Sequence, residues 1–388
     1  MFEAVFQPEG RHITPVALLK INGQNFGTLA QSRIIRVQLT DKRGFEADEL
    51  TIELDDYDQS LAFPPKDSRI EVWLGYRESG VVYKGAYRVT ELSWQGAPDT
   101  LQICAQAADM SGKLAEQQEK SWHKTSLKTI VETIAKQHGL TPVVGQNFQN
   151  EQIAHIDQTN ESDAAFLSRL AERYDAIATV KENRLLFVSA GEATTANGTP
   201  MPEITLHRNI GDQYSYRYTA TENYQAVRAY YTDKKTGKKH EAVISKDNVE
   251  PVKQTQTKVH KYKRKRKDGK TQKVTRKTVS VTKSIKTDGL KIKTLRHLYQ
   301  SKATAENGAR AAFKKLKRGT AEFDISLALG RPDVTPESPV TLRGFKAEID
   351  EEQWVGVEVE TTLDSKGLTG RIKLESLIDF AERSDEQP

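Results

Sequence analysis

Between Asp157 and Val188 the chain switches hydrophobic period within one short run, from helical spacing to strand-like apolar runs. Asn160 or Ser162 can cap a helix with a side-chain oxygen, and Glu161 and Asp163 lie where the positive end of the helix dipole favours acids. Phe166, Leu167, Leu170, Ala171 and Tyr174 then recur at helical spacing, with Ser168, Arg169, Glu172 and Arg173 opposite them. A helix with one charged face lies on a core, not inside one. Ala176 to Val180 and Arg184 to Val188 follow as apolar or β-branched runs, parted by Lys181-Glu182-Asn183, and asparagine tolerates the left-handed backbone of a tight turn. The stretch predicts a helix followed by a hairpin.

Upstream, residues to about Ala108 read as short strands. Val37 and Leu39, Leu50, Ile52 and Leu54, Ile70, Val72 and Leu74, Tyr87 and Val89, then Leu101 and Ile103 alternate with polar neighbours. Phe63-Pro64-Pro65 and Gly96-Ala97-Pro98-Asp99 supply turns, and this pattern predicts a small antiparallel barrel or sandwich over 1–114. From Lys120 the period becomes helical: Thr125 or Ser126 can cap a helix carrying Leu127, Ile130, Val131 and Ile134, and Gly139 is placed to end it. An α+β module over 115–190 follows, then a link over 191–213. A second β domain is expected over 214–378, from strands at Tyr214 to Thr219, Gln225 to Thr232, Phe323 to Leu329, Val340 to Phe345, Gln353 to Leu363 and Thr369 to Leu377, with a helix from Ala303 to Arg318. A polar tail occupies 379–388.

Charge is distributed unevenly. The net charge is +5, yet Lys253 to His297 holds 17 Lys and Arg against Asp268 and Asp288, a local +15, so the rest of the chain carries −10. Asp268-Gly269 at the centre is a strong signal for a two-residue hairpin turn, and the flanking Thr and Val residues favour strands. A long basic hairpin inserted in the second β domain, spanning 253–297, is the economical reading. Its candidate contact residues, for an acidic protein surface or for nucleic-acid phosphates, are Lys258, Lys261, Lys263, Arg264, Lys265, Arg266, Lys267, Lys270, Lys273, Arg276 and Lys277.

Catalytic chemistry finds little support. There is no nucleophile elbow, no Gly-rich phosphate loop and no histidine cluster at metal-ligand spacing; His123 and His138 read as surface or half-buried polar residues. Asp55, Asp56 and Asp58 suggest a calcium loop, but Leu61 stands where the motif requires glycine. Cys104 lies in an alternating run and reads as a strand residue. No cofactor or metal is implied. No run approaches the roughly 18 apolar residues of a membrane span, and the N-terminus lacks a basic start followed by an apolar core, so membrane insertion is not expected and synthesis in the cytoplasm is.

The order of these elements, with ESDAAFLSRLAERYDA (Glu161 to Ala176) and the KENRLLF hairpin (Lys181 to Phe187), resembles the bacteriophage late control gene D protein family. The likeness extends to TDKRGFEADELTIELDD (Thr40 to Asp56), GAPDTLQICAQAADMSGKL (Gly96 to Leu114), SWHKTSL (Ser121 to Leu127) and LRGFKAEIDEEQWVGVEVE (Leu342 to Glu360), in the family's order. The resemblance implies a mainly β, α+β fold of two small tail-tube-like antiparallel barrels with the α+β module between them. It also implies a non-enzymatic hub of a contractile-tail baseplate, similar to the N-terminal part of type VI secretion spike proteins. On that reading the chain forms a homotrimer in the virion. A hexameric tail tube lies above it, a trimeric spike below and other baseplate proteins around it, while DNA passing the lumen is a possible non-specific contact of the basic arm. The rival readings are a non-specific DNA-binding protein that uses the arm and a peptidoglycan-cleaving tail enzyme.

Overall fold

The structure is a computed structural model that describes residues 13–45, 47–107, 113–181, 183–191, 201–219, 224–232, 237–245, 252–265, 271–284, 291–299, 301–317 and 321–377. The chain divides into two compact units, Met1–Thr221 with Lys314–Pro388, and Glu222–Phe313.

The first unit opens with β1 (Pro15–Ile21), β2 (Gln24–Asn25), a short helix α1 (Thr28–Ser32), β3 (Ile34–Lys42), β4 (Glu49–Asp55), β5 (Arg69–Tyr76), β6 (Gly80–Gln95) and β7 (Thr100–Ala107). The alternation expected from sequence is realised: Val37, Leu39, Leu50, Ile52, Leu54, Ile70, Val72, Leu74, Leu101 and Ile103 form one buried core. The turn expected at Gly96-Ala97-Pro98-Asp99 joins β6 to β7.

Next come β8 (Gln117–Ser126), α2 (Leu127–Gln137), β9 (Thr141–Val144), β10 (Gln152–Ser162), α3 (Asp163–Tyr174), β11 (Ala176–Lys181) and β12 (Arg184–Ser189). The caps are those the sequence offers. Ser126 Oγ accepts from Thr129 N at 3.1 Å, and Ser162 Oγ accepts from Ala165 N at 3.1 Å. Gly139 leaves α2 at φ +69°, and Asn183 takes φ +60° in the β11–β12 hairpin. The apolar faces of α2 and α3 meet β11 and β12 in a separate core around Leu127, Ile130, Phe166, Leu170 and Phe187. Strands β8 and β10, which pair antiparallel beside the two helices, carry no clear alternation and were not expected. In place of a helix start, Asn160 and Glu161 lie within the strand β10, which runs to Ser162.

The remaining elements of the first unit are β13 (Ile204–His207) and β14 (Gly211–Tyr218) before the second unit begins. The second unit holds β15 (Ala226–Thr232), β16 (Lys239–Ser245), β17 (Val252–Lys265), β18 (Thr271–Ser284) and β19 (Ile292–Tyr299), and α4 (Lys302–Lys317) carries the chain out of it. The first unit then resumes with β20 (Ala321–Leu327), β21 (Pro339–Arg343), α5 (Ala347–Asp350), β22 (Trp354–Asp364) and β23 (Gly367–Ser376). Phe323, Ile325, Val340, Leu342, Trp354, Val359 and Ile372 make the third core of this unit.

Two expectations need correction here. The stretch 191–213 is not simply a link, because Ile204 and Leu206 of β13 are buried against β21. A four-residue strand among Thr, Glu and His is too short to show a period. The inserted segment is also wider than 253–297. Gln225 to Thr232, expected in the second β domain, forms β15 at the centre of a separate three-stranded sheet, β16-β15-β19, in which β15 and β19 run parallel. A parallel partner sixty residues away leaves no local turn signal.

Among the described residues, one 13-stranded sheet joins the β elements of the first unit other than β8 to β12. Its first half has the order β3-β4-β7-β6-β5-β1, and its second half the order β14-β20-β23-β22-β21-β13. Ranked by position in the chain within each half, both read second, third, sixth, fifth, fourth, first. The bulges match as well: β3 shifts against β4 between Ile34 and Arg36, and β14 against β20 between Gly211 and Gln213. Likewise β6 shifts against β7 between Val89 and Glu91, and β22 against β23 between Gly356 and Glu358. One departure stands out, since β1 is antiparallel to β5 whereas β13 is parallel to β21.

Candidate assembly interface

The turn leading into the fourth strand of each half shows how deep the likeness goes. Asp67 and Glu337 both take left-handed backbone, at φ +61° and +69°. Ser68 N donates to Pro65 O at 3.2 Å, and Ser338 N to Thr335 O at 3.1 Å; Val89 N donates to Ser68 O at 2.9 Å, and Gly356 N to Ser338 O at 3.0 Å. Pro65-Lys66-Asp67-Ser68 and Thr335-Pro336-Glu337-Ser338 are therefore the same turn used twice.

The halves meet where β3 pairs antiparallel with β22, from Val37 opposite Leu363 to Lys42 opposite Glu358. Val37 and Leu39 are fully buried there, and Val359 and Thr361 are 1% exposed. Each apolar side chain so covered contributes about 1.5–3 kcal/mol relative to exposure. Gln38 Nε2 donates to Glu360 Oε1 at 3.1 Å across the seam.

Charged residues pin this junction. Lys84 Nζ lies 2.6 Å from Asp41 Oδ2, with side chains 2% and 6% exposed, and donates to Pro332 O at 3.2 Å and Val334 O at 3.4 Å. The carboxylate contact is off the hydrogen-bonding direction, so it is coulombic, while the two carbonyls take the directional bonds. Tyr76 Oη donates to Gly330 O at 2.9 Å, and burial pushes that phenol well above the ordinary tyrosine range. Arg43 pairs with Glu337 and with Glu375. The α+β module is tied in by Lys181 to Asp48, whose carboxyl is raised by burial against the opposing pull of Lys181, and Gly191 N donates to Glu337 Oε2 at 2.9 Å.

The residues singled out in the basic segment are placed only by backbone. Strands β17 and β18 pair antiparallel from Val252 opposite Ser284 to Lys265 opposite Thr271. Lys258 stands opposite Thr278, Lys261 opposite Thr275, Lys263 opposite Lys273 and Arg264 opposite Gln272, with Arg276 opposite His260 and Lys277 opposite Val259. Arg266, Lys267 and Lys270 lie outside the described residues, as do the side chains of β17 and β18.

Other candidates have structural work. Asp58 is held well below the usual carboxylate range by the Arg33 guanidinium, and Asp56 accepts from Trp94 Nε1 at 3.1 Å. His138 Nε2 lies 2.7 Å from Asp163 Oδ2, and Gln158 Nε2 donates to the other oxygen of that buried carboxylate at 2.8 Å. His123 stacks on His155 at 4.5 Å. Cys104 sits half-buried in β7. Sequence reasoning missed Lys84, Asp41 and Arg43, since nothing local pairs residue 41 with residue 359. The one available signal was the repeated turn before Ser68 and Ser338.

Known proteins match this arrangement along its length. The model of the family described as phage tail baseplate hub (GPD) matches residues 79–367. The chain is 37% identical to a probable baseplate hub protein of Escherichia phage 186, over 97% of this chain and 98% of that protein. It is 34% identical to its counterpart in Escherichia phage P2, over the full length of both. In fold it is similar to a 43 kDa tail protein of prophage MuSo2 from Shewanella oneidensis, with a TM-score of 0.59 and 11% identity over 93% of this chain and 98% of that one. A tail protein from Neisseria meningitidis MC58 gives a TM-score of 0.60 and 9% identity over 93% and 96%. The chain belongs to the phage tail baseplate hub family.

Proposed function

We propose that this chain is the trimeric adaptor of a contractile-tail baseplate, made in the bacterial host cytoplasm and joining a hexameric tail tube to a trimeric spike. The observation that carries this reading is the double occurrence of one six-strand order, with matching bulges, in a single sheet. A threefold assembly presents six similar surfaces only if each chain contributes two. On this reading each half-sheet is a tube-like barrel. The basic strands β17 and β18 and the segment between them serve as an electrostatic contact for acidic surfaces of neighbouring tail proteins, and secondarily for DNA passing the lumen.

Particle mass tests the reading. The chain alone, or mixed with its tube or spike protein, should sediment with a core of three times 43.6 kDa. A monomer under every one of these conditions refutes it. Tight duplex binding by the free monomer at physiological salt, seen in a gel shift, would favour the DNA-binding reading instead.

A further inference from the structure

The two halves use their edges unequally. Strand β3 is paired on both sides, by β4 and by β22, whereas its counterpart β14 pairs, among the described residues, with β20 alone. Strand β22 accepts β3 along Glu358–Leu363, beyond the point at which its pairing with β21 ends at Val355. Its counterpart β6 parts from β5 at Arg88, and from Glu91 to Gln95 pairs, among the described residues, with β7 alone. The first half thus leaves open the edge that the second half fills, and the second half leaves open the edge that the first half fills.

Exposure follows the same division. Matching register through the bulges sets Tyr214 and Tyr216 in the places of Val37 and Leu39, and Leu92 and Trp94 in the places of Val359 and Thr361. Val37 and Leu39 are 0% exposed, but Tyr214 is 44% and Tyr216 37% exposed; Thr361 is 1% exposed, but Trp94 is 44%. Tyr214 already packs edge-on to Phe345 at 5.0 Å and carries the Arg208 guanidinium 5.5 Å from its ring centre, and Tyr216 packs edge-on to Trp354 at 6.3 Å, so both rings are seated on the core while part of each stays exposed. An open sheet edge with aromatic residues along it is a template for another strand.

We propose that β14 of one copy pairs antiparallel with β6 of a second copy of this chain, in the register that β3 adopts on β22. Tyr214 then stands opposite Gly96, Ser215 opposite Gln95, Tyr216 opposite Trp94, Arg217 opposite Ser93 and Tyr218 opposite Leu92. Tyr216 and Trp94 form an aromatic cross-strand pair, and the exposed Arg217 lies diagonal to the exposed Glu91, an attractive arrangement at that spacing. The contact is head-to-tail, because each copy offers one β14 edge and one β6 edge, and a head-to-tail contact makes a ring when the rotation it repeats closes on itself. The inference rests on the ring assembly proposed above and supplies its seam.

Cysteine cross-linking tests it. In a Cys104→Ser background, Arg217→Cys with Ser93→Cys, and separately Ser215→Cys with Gln95→Cys, should give covalent trimers on mild oxidation. The yield should be at least about tenfold above that of the out-of-register pair Arg217→Cys with Gln95→Cys, since a disulfide tolerates only a narrow Cα separation. All four positions are exposed or half-buried, and circular dichroism confirms folding before oxidation. A particle of trimer mass in which neither in-register pair links preferentially overturns the seam and leaves the trimer standing. A monomer by mass with no preferential linking overturns both.

Discussion

Replacing Lys84 with methionine tests whether the junction between the two half-sheets depends on its buried ion pair. The substitution keeps the length of the side chain and removes the ammonium. It leaves Asp41, 6% exposed, without its cation, and leaves the carbonyls of Pro332 and Val334 without their donor. Breaking one side of a buried pair destabilises by about 3–5 kcal/mol, mostly from the stranded charge. With a urea m-value of about 3 kcal/mol/M, the midpoint should fall by at least about 1 M at unchanged slope. The double variant Lys84→Met with Asp41→Leu removes both charges and should lie within about 2 kcal/mol of the parent, because an apolar replacement of the whole pair is nearly neutral. Tryptophan fluorescence and far-ultraviolet circular dichroism should report the transition together. A single-variant loss below about 1 kcal/mol, or a double variant worse than either single one, would refute the reasoning.

The remaining predictions are smaller. Ser162→Ala removes the bond to Ala165 N and should cost about 1 kcal/mol, read as a lower denaturation midpoint, while Ser162→Asp should retain most of the stability. The phenols of Tyr76 and Tyr87 are raised by burial, Tyr87 further by Asp41 and Asp48. Their unfolded counterparts ionise near pH 10 while the folded ones stay neutral, so the unfolded state holds fewer protons above that pH. Stability should therefore be flat from pH 8 to about pH 10 and fall above it, by about 1.4 kcal/mol per pH unit for each phenol. Denaturant titrations between pH 8 and 11.5 check this, and Tyr76→Phe should reduce the slope.

Strong local patterns made much of this fold legible in the sequence. The alternation through Val37 to Ile103, the serines before α2 and α3, Gly139 and Asn183 each act within a few residues of themselves, and the structure uses them as expected. What could not be read is what depends on distant partners. Strand β13 shows no period of its own and exists because Leu206 meets Leu342. Strands β15 and β19 join across sixty residues, so their separate sheet was absorbed into the second β domain. The junction residues Asp41, Arg43 and Lys84 read as ordinary strand and turn charges until Glu337, Glu375 and Pro332 come beside them. The basic run attracted the functional reading because charge is visible in one dimension, whereas an open edge on β14 is visible only in three.

The loops of the two half-sheets differ at one matching place. In the first half, β3 turns into β4 through Arg43 to Asp48, six residues; in the second, the equivalent passage from β14 to β20 encloses the whole of Glu222–Phe313. Duplication of one half followed by insertion in one of the two loops would leave such a pair. In any closed arrangement where the halves alternate, only every other position carries that appendage. A circle of six near-identical seats would then hold three marked ones, and a binding partner with three arms could tell them apart.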